Sequence, residues 1–168
     1  MILVCPLSCL QQSVDDSGAR HVVTLVRDET RVFRPQGIDP ENHLWLQMDD
    51  IAEPIDGYVA PAPAHVEALL GFVERWEREQ PLIIHCFAGI SRSTAAAFVS
   101  ACALAPERDE AEIAWRLRQA SRTASPNPRL VALADDFLGR RGRMKAAIAK
   151  IGYGDITSEA VPFRLKLD

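Results

Sequence analysis

Cys86 and Arg92 stand six positions apart in the stretch His85-Cys86-Phe87-Ala88-Gly89-Ile90-Ser91-Arg92-Ser93-Thr94. A cysteine surrounded by amide and guanidinium donors is stabilised as thiolate, and a thiolate is a strong nucleophile. The planar arginine fork holds two oxygens of a phosphoryl group at once, which lysine cannot do. Phe87, Ala88, Gly89, Ile90 and Ser91 supply backbone N–H groups for the remaining oxygens, as in an anion-binding nest. Gly89 permits the backbone angles that such a cradle needs. Ser93 follows the arginine, within reach of donating a hydrogen bond to the sulfur and helping it leave. The chemistry implied is phosphoryl transfer to sulfur, then hydrolysis of a phosphocysteine. The bland alternative is a buried strand-end cysteine with a helix-capping arginine.

Positioning these residues needs a strand before the loop and a helix after it. Residues 81–84, Pro-Leu-Ile-Ile, form an apolar run that reads as a buried strand. Residues 93–105 are small and open on hydroxyl side chains, as helix starts prefer. The cysteine then lies at a strand end, and the loop runs into a helix N-terminus that favours negative charge. Further strands are predicted over residues 1–7, 21–26 and 43–48. Residues 9–18 read as a short helix or loop, and residues 64–80, 107–120 and 128–138 read as helices. Val66, Leu69, Leu70, Val73 and Trp76 form the apolar face of the first long helix, and Ile113 and Leu117 share a face in the next. Leu130, Leu133, Ala134 and Phe137 do the same in the third. Alternating strands and helices argue an α/β fold on a mainly parallel sheet. Ligands of such sheets bind beyond the carboxyl ends of the strands, where Cys86 and Asp50 both fall.

The string His85-Cys86-x-Ala88-Gly89-x-Ser91-Arg92-Ser93 resembles the signature of the cysteine-dependent protein tyrosine phosphatases. The dual-specificity branch is the nearest, and the layout is similar to small bacterial members. The resemblance spans roughly residues 40 to 140, although only the ten-residue loop is highly specific. It implies a central, mainly parallel sheet of four or five strands flanked by helices. It implies phosphotyrosine as substrate with phosphoserine and phosphothreonine as further candidates, and a phosphorylated protein or peptide as partner. No carboxylate/His cluster has metal spacing, so a metallophosphatase is disfavoured and no cofactor is expected. The resemblance gives His85 a supporting role beside the nucleophile.

Phosphoryl transfer from an ester also needs a proton for the leaving oxygen, and a carboxyl on a nearby loop is the usual source. Asp49 and Asp50 end the predicted strand at residues 43–48, before a loop containing Pro54 and Gly57. The resemblance places the acid in a loop after a strand, which carries the role to Asp50 first and Asp49 second. Glu53 and Asp56 are outsiders. Asn127 either braces the loop or caps a helix, with capping preferred. His21, His43 and His65 read as structural.

The 168 residues suit one domain, with 48% hydrophobic and 25% charged residues and a net charge of −4. That balance gives no basic surface for nucleic acid. No stretch reaches transmembrane length and the apolar start lacks a signal-peptide pattern, so no membrane is expected and a cytoplasmic setting is. The four cysteines show no zinc-like spacing, and a reduced compartment suits a thiolate enzyme. Residues 1–152 read as the phosphatase domain. Residues 153–168 read as a tail whose alternating Val161, Phe163, Leu165 and Leu167 form a strand for a sheet edge of this chain or another. The basic run holding Arg140, Arg141, Arg143, Lys145 and Lys150 reads as a solvated last helix, with Met144, Ile148 and Ile151 on its apolar side. Arg27, Arg31 and Arg34, set against Asp28, Glu29 and Asp39, read as a solvated loop or a substrate-recognition edge. Cys5 and Cys9 read as buried inert thiols, with trapping of an oxidised Cys86 as the sharper alternative. Three rival functions are weighed: a phosphatase for an RNA 5′ end, inositol phosphate or phospholipid; a rhodanese-like sulfur transferase; and a non-catalytic phosphate-binding module. The oligomeric state is not legible.

Overall fold

The computed structural model describes residues 1–27 and 32–167. Asp28, Glu29 and Arg31 of the proposed recognition edge lie outside the described residues. Among the described residues, five strands form one sheet: β1 (Ile2–Pro6), β2 (His21–Thr24), β3 (His43–Trp45), β4 (Leu82–Cys86) and β5 (Phe163–Leu165), in the order β3-β2-β4-β1-β5. All neighbours pair in parallel except β5, which runs antiparallel to β1. Among the described residues, six α-helices accompany them: α1 (Leu10–Ser17), α2 (Pro63–Arg75), α3 (Arg92–Leu104), α4 (Glu110–Ala120), α5 (Pro128–Phe137) and α6 (Arg143–Ile151). The α/β architecture read from the sequence is the one observed.

β1 and β4 are buried along their whole length because both sheet faces are covered. Ile2, Val4, Leu82, Ile84 and Cys86 face the larger core, which α2, α3, α4, α5 and α6 share. Leu3, Cys5, Val22 and Ile83 face a smaller core with Leu10 and Val14 of α1. Strand side chains alternate between faces, so Cys5 and Cys86 stand on opposite sides of the sheet. That geometry removes the direct Cys5–Cys86 linkage considered above. Burial also pushes the Cys5 and Cys102 thiols up to about 12, which makes both poor nucleophiles.

The parallel order brings the carboxyl ends of β2, β3 and β4 to one edge. Thr24 is level with His85 in the β2–β4 ladder and with Trp45 in the β2–β3 ladder. Leu25 N–H donates to His85 C=O at 2.9 Å and Leu46 N–H to Thr24 C=O at 2.8 Å, so the chain leaves all three strands in register.

Several expectations are corrected. α2 stops at Arg75, because Trp76 turns extended and drops its ring into the core while its indole N–H donates to Gln80 C=O at 3.0 Å. α4 starts at Glu110, where the Asp109 carboxylate caps it by accepting from Ala111 N–H. Phe137, placed on the core face of α5, is exposed, and Val131 and Asp135 are buried in that helix instead. Arg140 is not a solvated residue of the last helix. It lies ahead of α6, is buried, and its guanidinium donates to Glu110, Cys102 C=O and Pro106 C=O. Glu110 is itself buried and also accepts from Arg143. Burial alone would raise the Glu110 carboxyl, but the Arg143 hydrogen bonds and the two guanidinium charges hold it below the usual range.

This carboxylate ties the start of α4 to the turn before α6. Removing it leaves the Arg140 charge buried without a partner. Because Arg143 is half exposed, the cost falls below that of a fully buried pair. Glu110→Ala is expected to lower unfolding stability by about 2 kcal/mol in urea. Glu112→Ala, which breaks an exposed pair with Arg116, is expected to cost less than about 0.5 kcal/mol. Equal losses for the two would contradict a supporting role for the buried cluster.

Candidate active site

The loop between β4 and α3 is gripped from outside through its carbonyls. Phe87 C=O accepts from Leu7 N–H at 3.1 Å and Ala88 C=O from Ala160 N–H at 2.9 Å. Ile90 C=O accepts from Ser125 N–H at 2.9 Å, and Ser91 C=O from Asn127 N–H at 3.3 Å. The N–H groups of residues 87–91, in contrast, have no hydrogen-bond partner among the described residues. A peptide whose carbonyl is tied outward turns its N–H the other way, so the loop forms a cradle of unmatched donors. Gly89 makes the curl possible in two ways. Its φ is +73°, and a Cβ there would lie 2.8 Å from the Pro6 nitrogen and 3.0 Å from the Cys5 carbonyl carbon. No other residue meets both conditions.

α3 begins where the loop ends, and Ser91 at its N-cap does not cap it. The Ser91 hydroxyl instead donates to Asp50 Oδ1 at 2.7 Å. The helix start therefore keeps its positive end available to an anion. Arg92, the first residue of α3, is buried, and its guanidinium donates to Met48 C=O at 2.7 Å. Its Nε is buried with no hydrogen-bond partner. A buried guanidinium donor without an acceptor is expensive, and an oxyanion in the loop would satisfy it.

Cys86 Sγ lies 3.1 Å from Ser93 Oγ, and both residues are buried. With sulfur ionised, the hydroxyl is the donor. His85, on the opposite face of β4, is fully buried and its Nε2 meets Thr24 Oγ1 at 2.7 Å. The same hydroxyl meets His43 Nε2 at 2.7 Å. One hydroxyl carries one proton, so it can donate to at most one of the two rings, and at least one ring must present its Nε2–H to the oxygen. Burial pushes the His85 imidazole down to about 4. Burial also lowers His43.

The two aspartates separate cleanly. Asp49 Oδ2 accepts from Arg27 at 3.1 Å and from Val59 N–H at 2.7 Å, while Asp49 N–H donates to Val59 C=O. Asp49 closes the base of the 50–58 loop, and Arg27 also stacks over the Tyr58 ring at 5.8 Å. Asp50 is exposed and reaches the cradle, with Oδ1 accepting from Ser91 and, at 2.8 Å, from Asn127 Nδ2. No described residue bonds Oδ2. Asn127 does both things weighed for it. Its Oδ1 caps α5 through Leu130 N–H while its Nδ2 braces Asp50. His65 and Arg27 are structural: His65 Nδ1 accepts from Ala62 N–H at the start of α2, and Arg27 anchors Asp49 rather than lining a free recognition edge. Thr24 and His43 were not singled out for the site, since no spacing in the sequence reveals that two histidines share one hydroxyl.

No protein-family model matches the chain, and no curated protein matches it. Solved structures do. The PTP-2 phosphatase of Cydia pomonella is similar with a TM-score of 0.60 at 21% identity, over 95% of this chain and 91% of that one. Human DUSP28 is similar with a TM-score of 0.63 at 16% identity, over 82% and 88%. PTPMT1 is similar with a TM-score of 0.62 at 19% identity, over 89% and 95%. The chain thus has the fold of the tyrosine and dual-specificity phosphatases.

The buried His85 ring makes a prediction. Its folded-state pKa lies below the unfolded value of ~6.5, so the unfolded chain binds more protons between the two values. Stability from this ring is complete above ~6.5 and is lost as pH falls towards about 4. Between pH 7 and pH 5, wild type is expected to lose about 2 kcal/mol more unfolding free energy than His85→Asn. Parallel pH dependences in urea titrations would contradict a neutral buried imidazole.

Proposed function

We propose that this protein is a metal-independent phosphatase that hydrolyses phosphate monoesters through a cysteinyl-phosphate intermediate. The observation that carries the reading is the set of unmatched donors around Cys86: five loop N–H groups and the buried Arg92 Nε. A non-catalytic phosphate-binding module would use those donors, but it has no need of a thiol paired with Ser93 or of a carboxyl braced at the rim. A sulfur carrier would need neither the braced carboxyl nor the arginine fork.

In the first step the Cys86 thiolate attacks phosphorus and the ester P–O bond breaks. Loop amides and Arg92 hold the equatorial oxygens, where negative charge accumulates. Asp50 gives its proton to the leaving oxygen, with Oδ2 as the donor because Oδ1 is engaged by Ser91 and Asn127. In the second step water attacks the phosphocysteine, Asp50 takes the water proton, and the S–P bond breaks. Ser93 Oγ–H stabilises the departing thiolate. His85, neutral and fixed by Thr24, is a positioning residue behind the nucleophile.

Phosphotyrosine of a protein or peptide is the substrate we favour, with phosphoserine and phosphothreonine next. Support comes from the loop's resemblance to the dual-specificity signature and from neighbours whose structures are those of tyrosine and dual-specificity phosphatases. One observation favours a phosphoinositide instead: a neighbouring structure is PTPMT1 in complex with PI(5)P, at a TM-score of 0.59 and 20% identity. Against it, the loop holds no lysine between Cys86 and Arg92, which leaves no second point charge for a polyanionic headgroup.

Hydrolysis of aryl phosphates in the presence of EDTA tests the reading. Cys86→Ser is expected to abolish turnover. Asp50→Asn is expected to reduce kcat by roughly 10²- to 10⁴-fold for esters with poor leaving groups. The loss should shrink for good leaving groups, which need no proton. Asp49→Asn is expected to disturb the loop without that leaving-group dependence. Full activity in Cys86→Ser, or inhibition of wild type by EDTA, would overturn the proposal.

A further inference from the structure

Residues 152–162 connect α6 to β5 as an extended strap along the outer side of the cradle. Gly154 N–H donates to Ser125 Oγ at 3.0 Å, and Asp155 N–H to Arg122 C=O at 2.8 Å. The crossing is very close: a Cβ on Gly154 would sit 2.5 Å from Arg118, from the Arg122 carbonyl oxygen and from Thr123. Arg118 locks it by donating to Arg122 C=O at 2.7 Å and to Gly152 C=O at 2.8 Å. Further on, Ser8 Oγ donates to Glu159 at 2.7 Å, and the buried Ala160 donates its N–H to Ala88 C=O. The strap then enters the sheet as β5 beside β1.

Two of the four carbonyl ties that turn the loop amides inward therefore depend on this strap. Ala160 holds Ala88 directly. Gly154 holds Ser125, whose own N–H holds Ile90. We propose that residues 152–162 are a positioning part of the phosphate site, with the Ala160 N–H fixing the Ala88 peptide so that its neighbours present their amides to the phosphoryl oxygens. This rests on the phosphatase reading above. It assigns a role in oxyanion binding to a segment that touches neither Cys86 nor Arg92 by any hydrogen bond, and whose side chains Tyr153, Ile156 and Val161 are exposed.

The test separates the N–H from the side chain. Ala160→Pro removes the donor, and Ala160→Gly keeps it. Orthovanadate inhibition and steady-state kinetics with an aryl phosphate are compared with thermal melting for both. Ala160→Pro is expected to weaken vanadate inhibition and to lower kcat/KM by roughly five- to tenfold, the effect of losing one buried hydrogen bond. Ala160→Gly is expected to match wild type in vanadate inhibition even where its melting temperature falls. Should Ala160→Pro not fold, Ser125→Ala removes the acceptor for Gly154 with little steric change and is expected to weaken vanadate inhibition two- to threefold. Wild-type inhibition constants in a folded Ala160→Pro, or in Ser125→Ala when it stands in, would overturn the strap's role while leaving the phosphatase reading intact. No inhibition and no turnover by wild type would overturn both.

Discussion

The site depends on a constraint of peptide geometry: a backbone unit cannot turn both its C=O and its N–H to the same side. The carbonyls of Phe87, Ala88, Ile90 and Ser91 are bonded to Leu7, Ala160, Ser125 and Asn127. Those four donors come from the end of β1, the strap before β5, the turn before α5 and the cap of α5. The ring of free N–H groups is thus a property of the whole sheet and its flanking helices, not of the ten-residue loop. Gly89 is the one position where the curl is only possible without a side chain, because the Pro6 and Cys5 backbone fills the space.

Around that cradle the other groups fall into roles set by which face of β4 they occupy. Cys86 opens to the α3 side, where Ser93 and the helix start meet it. His85 faces away, is fully buried beside Thr24, whose hydroxyl also meets the half-buried His43, and burial lowers its pKa to about 4. Asp50 approaches from the β3 end and is oriented from two directions, by the loop through Ser91 and by α5 through Asn127. Arg92 ties the start of α3 to the end of the β3 segment through Met48. Cys86, Arg92 and Asp50, the proposed nucleophile, anion-binding fork and acid, are held by hydrogen bonds to different parts of the fold, which fixes their mutual geometry.

Much of this was legible in the sequence because it is local. The apolar run before Cys86, the small-residue helix after it and the glycine at the bend each carry their own backbone logic, and the strand–loop–helix order they predict is the one observed. The α/β class followed from alternating periods. What was not legible depends on chain returning from far away. Thr24 joins His43 and His85 only because β2 lies between β3 and β4 with a particular register. Asn127 looked like a cap, and it is one, but its second bond to Asp50 spans seventy-seven positions of sequence. Arg140 sat in a basic run and looked solvated, and its burial follows from Glu110, thirty positions earlier. Phe137 matched a helical stripe, yet α5 turns that edge outward and buries Asp135 to hold the start of α6.

In the proposed chemistry phosphorus becomes bonded to the Cys86 sulfur. The most direct test mixes Asp50→Asn enzyme with an aryl phosphate carrying a good leaving group, quenches in acid within the first turnover, and maps the phosphoryl group by peptide mass spectrometry. The predicted result is one phosphoryl group on the peptide holding Cys86, on sulfur, and none in Cys86→Ser. Turnover without any phosphoryl group on that peptide, or with the group on another residue, would contradict a cysteinyl-phosphate intermediate.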